Sequence, residues 1–338
     1  MPNDALVRTA TLMVAAGKGI LAADESIPTM SQRLEKAGVP ANAETRRVYR
    51  SMIVTTPGLG EFVSGVILSD ETFRQRTDGG VSIPEAAARA GILPGIKVDT
   101  GAKPLAFAEG ETVTEGLDGL RDRLAEYHEM GARFAKWRAV IRIDGALPSD
   151  SCLSANAHAL GRYAALCQEA GIVPIVEPEV LMDGDHSVER CQDVTERTLR
   201  RVFDELAEQR VLLEGMVLKP NMVAPGKDCA QQVTVDEVAS VTVRCLRRCV
   251  PAAVPGIAFL SGGQSPERAT EHLQAINSLG EQPWQLTFSY GRALLDPPLA
   301  AWKGAPSNIE AGQQALRHRA DCNAAARDGR YDSSMERT

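Results

Sequence analysis

The sequence has no apolar run long enough to cross a membrane, since none approaches the roughly 18 residues that a spanning helix needs. The opening segment MPNDALVRTATLMVAAGKG lacks a basic leader followed by an apolar core, so we expect neither a signal peptide nor a membrane span. A formal net charge of −7 argues against non-specific binding to nucleic acid. Basic residues at a functional site would therefore have to be a local feature.

Paired metal-ligand motifs are also missing. Seven cysteines are scattered without a C-x-x-C pair, and five histidines form neither H-x-x-x-H nor H-E-x-x-H. Separated cysteines in odd number are typical of reduced thiols in the cytoplasm. We therefore expect a cytoplasmic protein without a zinc centre, another metal or a cofactor. The first strand is not followed by G-x-G-x-x-G, which disfavours a dinucleotide-binding fold.

What the chain does contain is a regular alternation of strand-like and helical segments. Eight apolar runs predict strands, at 20–26, 61–70, 93–100, 132–143, 171–180, 214–222, 255–264 and 283–294. Such alternation implies a parallel sheet, and eight units predict an α/β fold with a closed (β/α)8 TIM barrel. We expect one barrel domain over residues 1–303, including an N-terminal helix, and a C-terminal tail over 304–338. The polar segment between residue 100 and residue 111 is predicted to be a loop.

Charged and polar side chains stand where these apolar strands end. They are Asp24, Lys97, Lys136 with Arg138, Glu177 with Glu179, Lys219, Ser261, and Ser289 with Arg292. In a barrel of this kind, the carboxyl ends of all strands open on one face, where catalysis takes place. Side chains two apart on a strand share a face, so Lys136 and Arg138 should point the same way. A charge at one strand end is usually solvated, but charges at nearly every strand end indicate an active site.

Lys219 is the central residue of this set. It lies in EGMVLKPNM, where Pro220 ends a short buried strand directly after the lysine. Such a lysine can be a solvated charge, or it can be an uncharged amine that attacks carbonyl carbons. Burial and a nearby cation favour the uncharged amine, and Lys136 is the candidate cation. Glu177 is the candidate acid and base, and Asp24 is a candidate for polarising a substrate hydroxyl or the amine.

Two glycine-containing segments near the end of the barrel predict a phosphate site. LSGGQS, residues 260–265, precedes a helix that Pro266 can begin, and SYGRA, residues 289–293, follows the last strand. Loops after strands 7 and 8 commonly bind phosphate in such barrels, through backbone N–H groups. Arg292 can add a bidentate contact to the anion.

These stretches resemble the class I, Schiff-base fructose-bisphosphate aldolase family. The matching motifs span about residues 17–302 and include GKGILAADES, GIKVDTG, FAKWR, GIVPIVEPE, LKPNMV, FLSGGQS and FSYGRAL. The resemblance implies a metal-free, homotetrameric barrel enzyme that cleaves fructose 1,6-bisphosphate into dihydroxyacetone phosphate and glyceraldehyde 3-phosphate. It implies that Lys219 forms the Schiff base and that Glu177 is the main acid and base, assisted by Glu179.

The resemblance also implies roles for the other matching positions. Asp24 and Lys136 complete the catalytic set, while Lys97 and Arg138 line the substrate site. Positions that resemble the ketone-side phosphate site are Ser261, Gly262, Ser289, Gly291 and Arg292. Positions that resemble further substrate-binding residues are Ser26, Arg33 and Arg46.

Two departures from the family pattern leave questions open. Gln32 stands where the animal enzymes have a lysine, so the preference for bisphosphate over monophosphate is not fixed by the sequence. The animal enzymes end in a tyrosine that reaches the site, whereas the last tyrosine here is Tyr331, within the tail.

Three alternative functions remain. Another Schiff-base sugar-phosphate aldolase or a transaldolase would use the same lysine. A glycoside hydrolase would use Glu177 and Glu179, although neighbouring carboxylates on one strand do not flank a glycosidic bond from opposite sides. A non-catalytic scaffold would have no use for the charged set.

Overall fold

The computed structural model describes residues 2–337 of the chain. Its strands are β1 (Gly19–Ala23), β2 (Val63–Leu68), β3 (Leu93–Lys97), β4 (Gly101–Pro104), β5 (Thr112–Glu115), β6 (Phe134–Ile141), β7 (Val173–Val180), β8 (Val217–Leu218), β9 (Gly256–Phe259) and β10 (Gln285–Tyr290). Its α-helices are α1 (Pro2–Met13), α2 (Ile27–Lys36), α3 (Ala43–Val54), α4 (Asp70–Phe73), α5 (Ile83–Arg89), α6 (Leu120–Glu129), α7 (Asp150–Glu169), α8 (Val188–Glu208), α9 (Val235–Cys249), α10 (Pro266–Ser278), α11 (Arg292–Trp302) and α12 (Ile309–Arg327). Within residues 2–337, none of the helices combines the length and apolar character that a membrane span requires.

Eight of these strands close into a barrel in the order β1-β10-β9-β8-β7-β6-β3-β2. Every neighbouring pair in the barrel is parallel. Helical segments connect successive barrel strands along the chain. The prediction of a (β/α)8 barrel is therefore confirmed, and each predicted strand run overlaps one barrel strand.

The interior of the barrel follows the two-residue period of its strands. Ile20 and Ala22 of β1, Phe134 of β6, Val173 and Ile175 of β7, Val217 of β8 and Ala258 of β9 belong to one buried cluster. Continuing the same alternation toward the carboxyl ends brings Asp24, Lys136, Glu177 and Lys219 to the inward-facing positions. Apolar residues thus fill the barrel interior toward the amino-terminal ends of the strands, and the charged groups lie next to them toward the carboxyl ends.

Glycines make room for the large side chains at the base of the barrel. A Cβ at Gly95 of β3 would overlap the ring of Phe134, and a Cβ at Gly256 of β9 would overlap Val14. Leu6, Ala10 and Met13 of α1 are buried in the same cluster as the barrel interior. Helix α1 and Val14, the residue after it, therefore cover the amino-terminal end of the barrel.

The segment after β3 differs from the sequence prediction of a loop. β4 and β5 form an antiparallel hairpin, with Gly101 opposite Glu115. Thr114 on β5 donates through its hydroxyl to the carbonyl of Arg138, at 2.7 Å, and its N–H donates to Asn156 of α7, at 3.2 Å. The hairpin is thus held by polar contacts to the barrel, which hydrophobic periodicity in the sequence does not reveal.

The C-terminal segment folds against the barrel. Leu316 and Ala320 of α12 are buried, and α12 packs on α10 and α11. Beyond α12, the Tyr331 hydroxyl donates to Glu336 at 2.9 Å, and Glu336 also forms an ion pair with Arg319. These contacts place Tyr331 beside α12.

Candidate active site

Lys219 is the residue directly after β8, at the bottom of the opening that the carboxyl ends of the barrel strands form. Its backbone N–H donates to the carbonyl of Val176 on β7, at 2.8 Å, and Pro220 then ends the ladder. The residue is only 4% exposed. Its Nζ lies 3.1 Å from Oε1 of Glu177, so the side chain points inward as predicted and is not a solvated surface charge.

Glu177 lies between two amines. Its second carboxylate oxygen, Oε2, is 3.2 Å from Nζ of Lys136, and that same Nζ is 2.9 Å from Oδ2 of Asp24. The four residues are all buried and form a continuous series of charges, Lys219–Glu177–Lys136–Asp24. We call this series the buried charge row.

The charges in this row stabilise one another. Burial by itself would raise the pKa of Asp24, but the positive charges of Lys136 and Lys219 lower it to about 2. Burial would likewise raise the pKa of Glu177, and the same two amines hold that pKa below its usual value. Burial opposes the charge on Lys136, but Asp24 and Glu177 raise its pKa above the usual lysine value. Lys136 is therefore a permanent cation, placed across Glu177 from Lys219.

A second set of charged residues lies nearer to solvent on the same face. Arg138 of β6 forms an ion pair with Glu179 of β7, and the backbone N–H of Arg138 donates to Oδ2 of Asp99, at 3.3 Å. Lys97 Nζ lies 2.9 Å from the other oxygen of Asp99. The structure therefore brings Lys97, Arg138 and Glu179 together around Asp99 and the upper part of β7.

The residues predicted to bind phosphate occur at the ends of β9 and β10. Ser261, Gly262 and Gly263 form a tight turn, and both glycines adopt positive φ angles of 58° and 80°. Ser289 is 1% exposed, and its hydroxyl has no hydrogen-bond partner among residues 2–337. Gly291 precedes α11 and Arg292 begins it, so the arginine lies at a helix N-terminus rather than within a strand. Free backbone N–H groups and one available hydroxyl make this region suitable for an anion.

The predicted substrate-binding residues Ser26, Arg33 and Arg46 contact residues outside the buried charge row. Ser26 caps α2 by accepting a hydrogen bond from the N–H of Thr29. Arg33 forms ion pairs with Glu25 and Asp296. The ion pairs of Arg33 and Arg46 are thus with residues that do not belong to the buried charge row.

Arg46 has partners of its own. Its guanidinium donates to both carboxylate oxygens of Glu71, at 2.8 and 2.6 Å, and to the hydroxyl of Ser31 at 3.2 Å. Its bidentate pairing gives Arg46 a structural role between α3 and the start of α4 in the free protein.

Sequence reasoning missed two residues beside the glycine turn. Lys227 lies in the PGKD segment after β8, and its Nζ is 2.9 Å from Oδ1 of Asp183, which follows β7. A Cβ at Gly263 would lie 3.0 Å from that Nζ. Two signals were present in the sequence: Asp183 begins DGDH, one of the stretches that resemble the family, and the two residues follow barrel strands, Asp183 by three positions and Lys227 by nine.

Comparison with known proteins agrees with this geometry. A family model described as glycolytic, fructose-bisphosphate aldolase class-I, matches residues 5–338. The chain belongs to the class I fructose-bisphosphate aldolase family. A relative in Xanthomonas campestris pv. campestris, described as a probable fructose-bisphosphate aldolase class 1, is 54% identical, over 98% of this chain and 99% of the relative. The cytosolic fructose-bisphosphate aldolase 4 of Arabidopsis thaliana is 50% identical, over 98% of this chain and 84% of the relative.

A solved structure of this aldolase family is also very similar. The fructose-bisphosphate aldolase of Plasmodium falciparum, in a ternary complex with TRAP and a small-molecule inhibitor, superimposes with a TM-score of 0.97. The two sequences are 47% identical, and the match covers 98% of this chain and 96% of the other. The barrel and its order of elements are thus those of a class I aldolase throughout.

One group of potential metal ligands lies elsewhere in this aldolase. His318 and Cys322 of α12 and Glu336 have donor atoms within 4.8 Å of one another. Glu336 is already in contact with Arg319 and Tyr331. The group is on the C-terminal segment, and none of its members belongs to the buried charge row.

Proposed function

We propose that this protein is an aldehyde-lyase that reversibly cleaves fructose 1,6-bisphosphate to dihydroxyacetone phosphate and glyceraldehyde 3-phosphate, a reaction of glycolysis and gluconeogenesis. Membership of the class I family supports the reaction. The observation that carries the mechanism is the distance of 3.1 Å between Nζ of Lys219 and Oε1 of Glu177, inside a barrel face that is lined with charges. An amine and a proton-transfer group are thereby held at hydrogen-bond distance.

Lys219 acts as the nucleophile. The Lys219 ammonium first passes a proton to Oε1 of Glu177, 3.1 Å away. The resulting uncharged amine adds to the C2 ketone of the sugar to give a carbinolamine, which loses water to give an iminium ion. The iminium attracts the electron pair of the C3–C4 bond, so this bond breaks when the C4 hydroxyl loses its proton. The C4–C6 fragment leaves as the aldehyde, and the remaining enamine takes up a proton at C3. Addition of water then releases the ketone and returns the free lysine.

Glu177 moves the protons in this sequence. Its pKa lies below the usual glutamate value, so it begins as a carboxylate and is ready to accept a proton. Once protonated, it can return the proton to the carbinolamine hydroxyl, which then leaves as water. The reaction needs a base and an acid in turn, and one carboxyl group performs both roles.

The other charged residues of the site position Lys219 and Glu177. Lys136 holds Oε2 of Glu177, and Asp24 balances the charge of Lys136. Glu179 assists proton transfer through its place next to Glu177 on β7, with Arg138 fixing its orientation.

Lys97 and Arg138 contact the middle of the substrate. Ser261, Gly262, Ser289, Gly291 and Arg292 bind the ketone-side phosphate, and Ser26, Arg33 and Arg46 contribute on the opposite side.

Recognition of the aldehyde-side phosphate differs from the family pattern, because Gln32 on α2 is uncharged and exposed. This single observation favours a second candidate function, an aldolase for fructose 1-phosphate. Turnover of the two sugars by the same preparation distinguishes the candidates. A much higher kcat/KM for the bisphosphate supports the first, and equal values support the second.

We also propose that the protein acts in the cytoplasm as a homotetramer of single-domain chains, each a barrel over residues 1–303 with a C-terminal tail over 304–338. The cytosolic relative and the seven free cysteines support the location. The family resemblance supports the tetramer. Light scattering during gel filtration tests it, and a monomer mass near 36.3 kDa would contradict it.

The mechanism is tested by trapping the covalent intermediate. Borohydride added with dihydroxyacetone phosphate should reduce the iminium and label the peptide that contains Lys219. Lys219→Arg should abolish the label, whereas Lys103→Met, at an exposed lysine of β4, should leave it unchanged. A label on another lysine, or no label in the unmodified protein, would contradict the proposal.

A further inference from the structure

Lys227 is held in a defined position beside the glycine turn. Its backbone N–H donates to the carbonyl of Met182 at 2.8 Å, and the N–H of Gly226 donates to the carbonyl of His186, also at 2.8 Å. The PGKD turn after β8 is thereby tied to the segment that follows β7. The Lys227 side chain is about half exposed, so its amine can reach a ligand on the open face.

Two cationic side chains converge on Gly263. The position that a Cβ would occupy there is 2.9 Å from Nη2 of Arg292 and 3.0 Å from Nζ of Lys227. The two nitrogens are therefore no farther apart than the sum of these distances, which is a separation that one phosphate group can span. Because residue 263 is glycine, the space between the two cations holds no side chain.

Asp183 compensates one of these two cations. Its carboxylate pairs with Lys227, and both side chains are about half or more exposed. Exposed pairs of this kind contribute only about 0–1 kcal/mol. A phosphate dianion that already contacts Arg292 carries more charge than Asp183 and can therefore displace it from Lys227.

We propose that Lys227 is a substrate-binding residue for the ketone-side phosphate, that it pairs with Asp183 in the free enzyme, and that it moves to the phosphate when the substrate binds. This inference rests on the proposed function, because it deepens the description of the same site. It adds a cation that neither the sequence motifs nor the geometry of the buried charge row assigns to the site.

The condensation direction separates the two phosphate groups of the product. Lys227→Met should raise the KM for dihydroxyacetone phosphate by about two- to fivefold, since a partly exposed charge pair is lost. It should change kcat, and the KM for glyceraldehyde 3-phosphate, by less than about twofold. Lys227→Arg should restore most of the affinity, because it keeps the charge.

Asp183→Asn provides the complementary test. Removing the competing carboxylate should lower the KM for dihydroxyacetone phosphate, whereas a residue with a purely structural role would raise it or leave it unchanged. Lys103→Met, at an exposed lysine distant in sequence from both turns, should have no effect on either KM. An unchanged KM in Lys227→Met, or an effect on the aldehyde instead, would overturn the proposal.

Binding of inorganic phosphate distinguishes failure of this inference from failure of the proposed function. Calorimetric titration with phosphate does not need Lys219 chemistry, and Lys227→Met should weaken phosphate binding about two- to fivefold relative to the unmodified protein. If borohydride gives no label on Lys219 in the unmodified protein, but Lys227→Met binds phosphate more weakly than the unmodified protein, the proposed function is wrong and the anion site remains. If the borohydride test succeeds and phosphate affinity is unchanged, the inference about Lys227 is wrong.

Discussion

Nζ of Lys219 lies 3.1 Å from Oε1 of Glu177, while the other oxygen of the same carboxylate faces Lys136 at 3.2 Å. A single carboxylate therefore links Lys219, the nucleophile of the proposed mechanism, to an amine that stays charged. Lys136 is further neutralised by Asp24, at 2.9 Å. The sequence predicted that Lys136 is the cation near Lys219, and the structure adds that Asp24 and Glu177 both compensate its charge.

Glu177→Gln removes the proton-transfer group with little change in shape. We expect kcat to fall by about 10²–10⁴-fold, the range typical of a lost general acid and base, while the substrate still binds. Steady-state kinetics with equilibrium binding of fructose 1,6-bisphosphate measures both effects. Glu179→Gln is the matched control on the same strand and should lose less activity. Normal turnover in Glu177→Gln would remove its proposed role.

Asp24→Asn should change how stability depends on pH. The pKa of Asp24 is lowered to about 2 in the folded state from its usual 3.8. Its contribution is therefore present above about pH 4 and is lost as the pH falls through about 2. The size of this contribution is roughly 2 kcal/mol.

The measurement is urea unfolding of both proteins between about pH 6 and pH 2.5. The unmodified protein should be more stable than Asp24→Asn at the upper end, and the difference should shrink toward the lower end. Asp118→Asn, at an exposed carboxylate, serves as the control. A difference that stays constant over this range would contradict the assignment of the lowered pKa to Asp24.

Gly263→Ala should damage the phosphate site. The added methyl group would lie about 3 Å from both Arg292 and Lys227, so we expect a higher KM for dihydroxyacetone phosphate. Residue 263 also has a φ of +80°, which strains any residue other than glycine. Gly280→Ala controls for that strain, since its φ is +86° and nothing lies within 4 Å of the added Cβ. Equal KM values in the two variants would show that the space at Gly263 has no part in binding.

Gly95→Ala should destabilise the barrel interior toward the amino-terminal ends of the strands. Its Cβ would overlap the ring of Phe134, and such overpacking typically costs about 1–3 kcal/mol in the free energy of unfolding. Adding Phe134→Leu to this variant should recover part of the loss, because the two sites share one space. Gly79→Ala, where the nearest atom would be 3.8 Å away, should be close to neutral. Additive effects of Gly95→Ala and Phe134→Leu would contradict the packing argument.

The sequence predicted the barrel and the buried charge row because both follow from strand periodicity. Asp24, Lys136, Glu177 and Lys219 each continue an inward-facing series of apolar residues, such as Ile20 and Ala22 before Asp24. Arg292 was placed at the end of a strand, whereas it begins α11. Gly291 adopts φ and ψ of −100° and −90°, and this backbone change is not encoded by hydrophobic pattern.

Other features depend on contacts between segments far apart in sequence. The β4–β5 hairpin is fixed by Asn156 and the carbonyl of Arg138. Lys227 acquires its position through Met182 and Gly263, which lie 45 residues before and 36 residues after it. Such contacts form only once the barrel is closed.

Helix α1 covers one end of the barrel, and this has a consequence for the order of events. In the proposed mechanism, substrate and products therefore pass through the opposite end of the barrel, above the carboxyl ends of the strands. The fragment bonded to Lys219 would lie at the bottom of that opening, next to the packed interior. The aldehyde fragment, which is not bonded to the protein, would leave first, and the three-carbon ketone would follow once water had entered by the same opening.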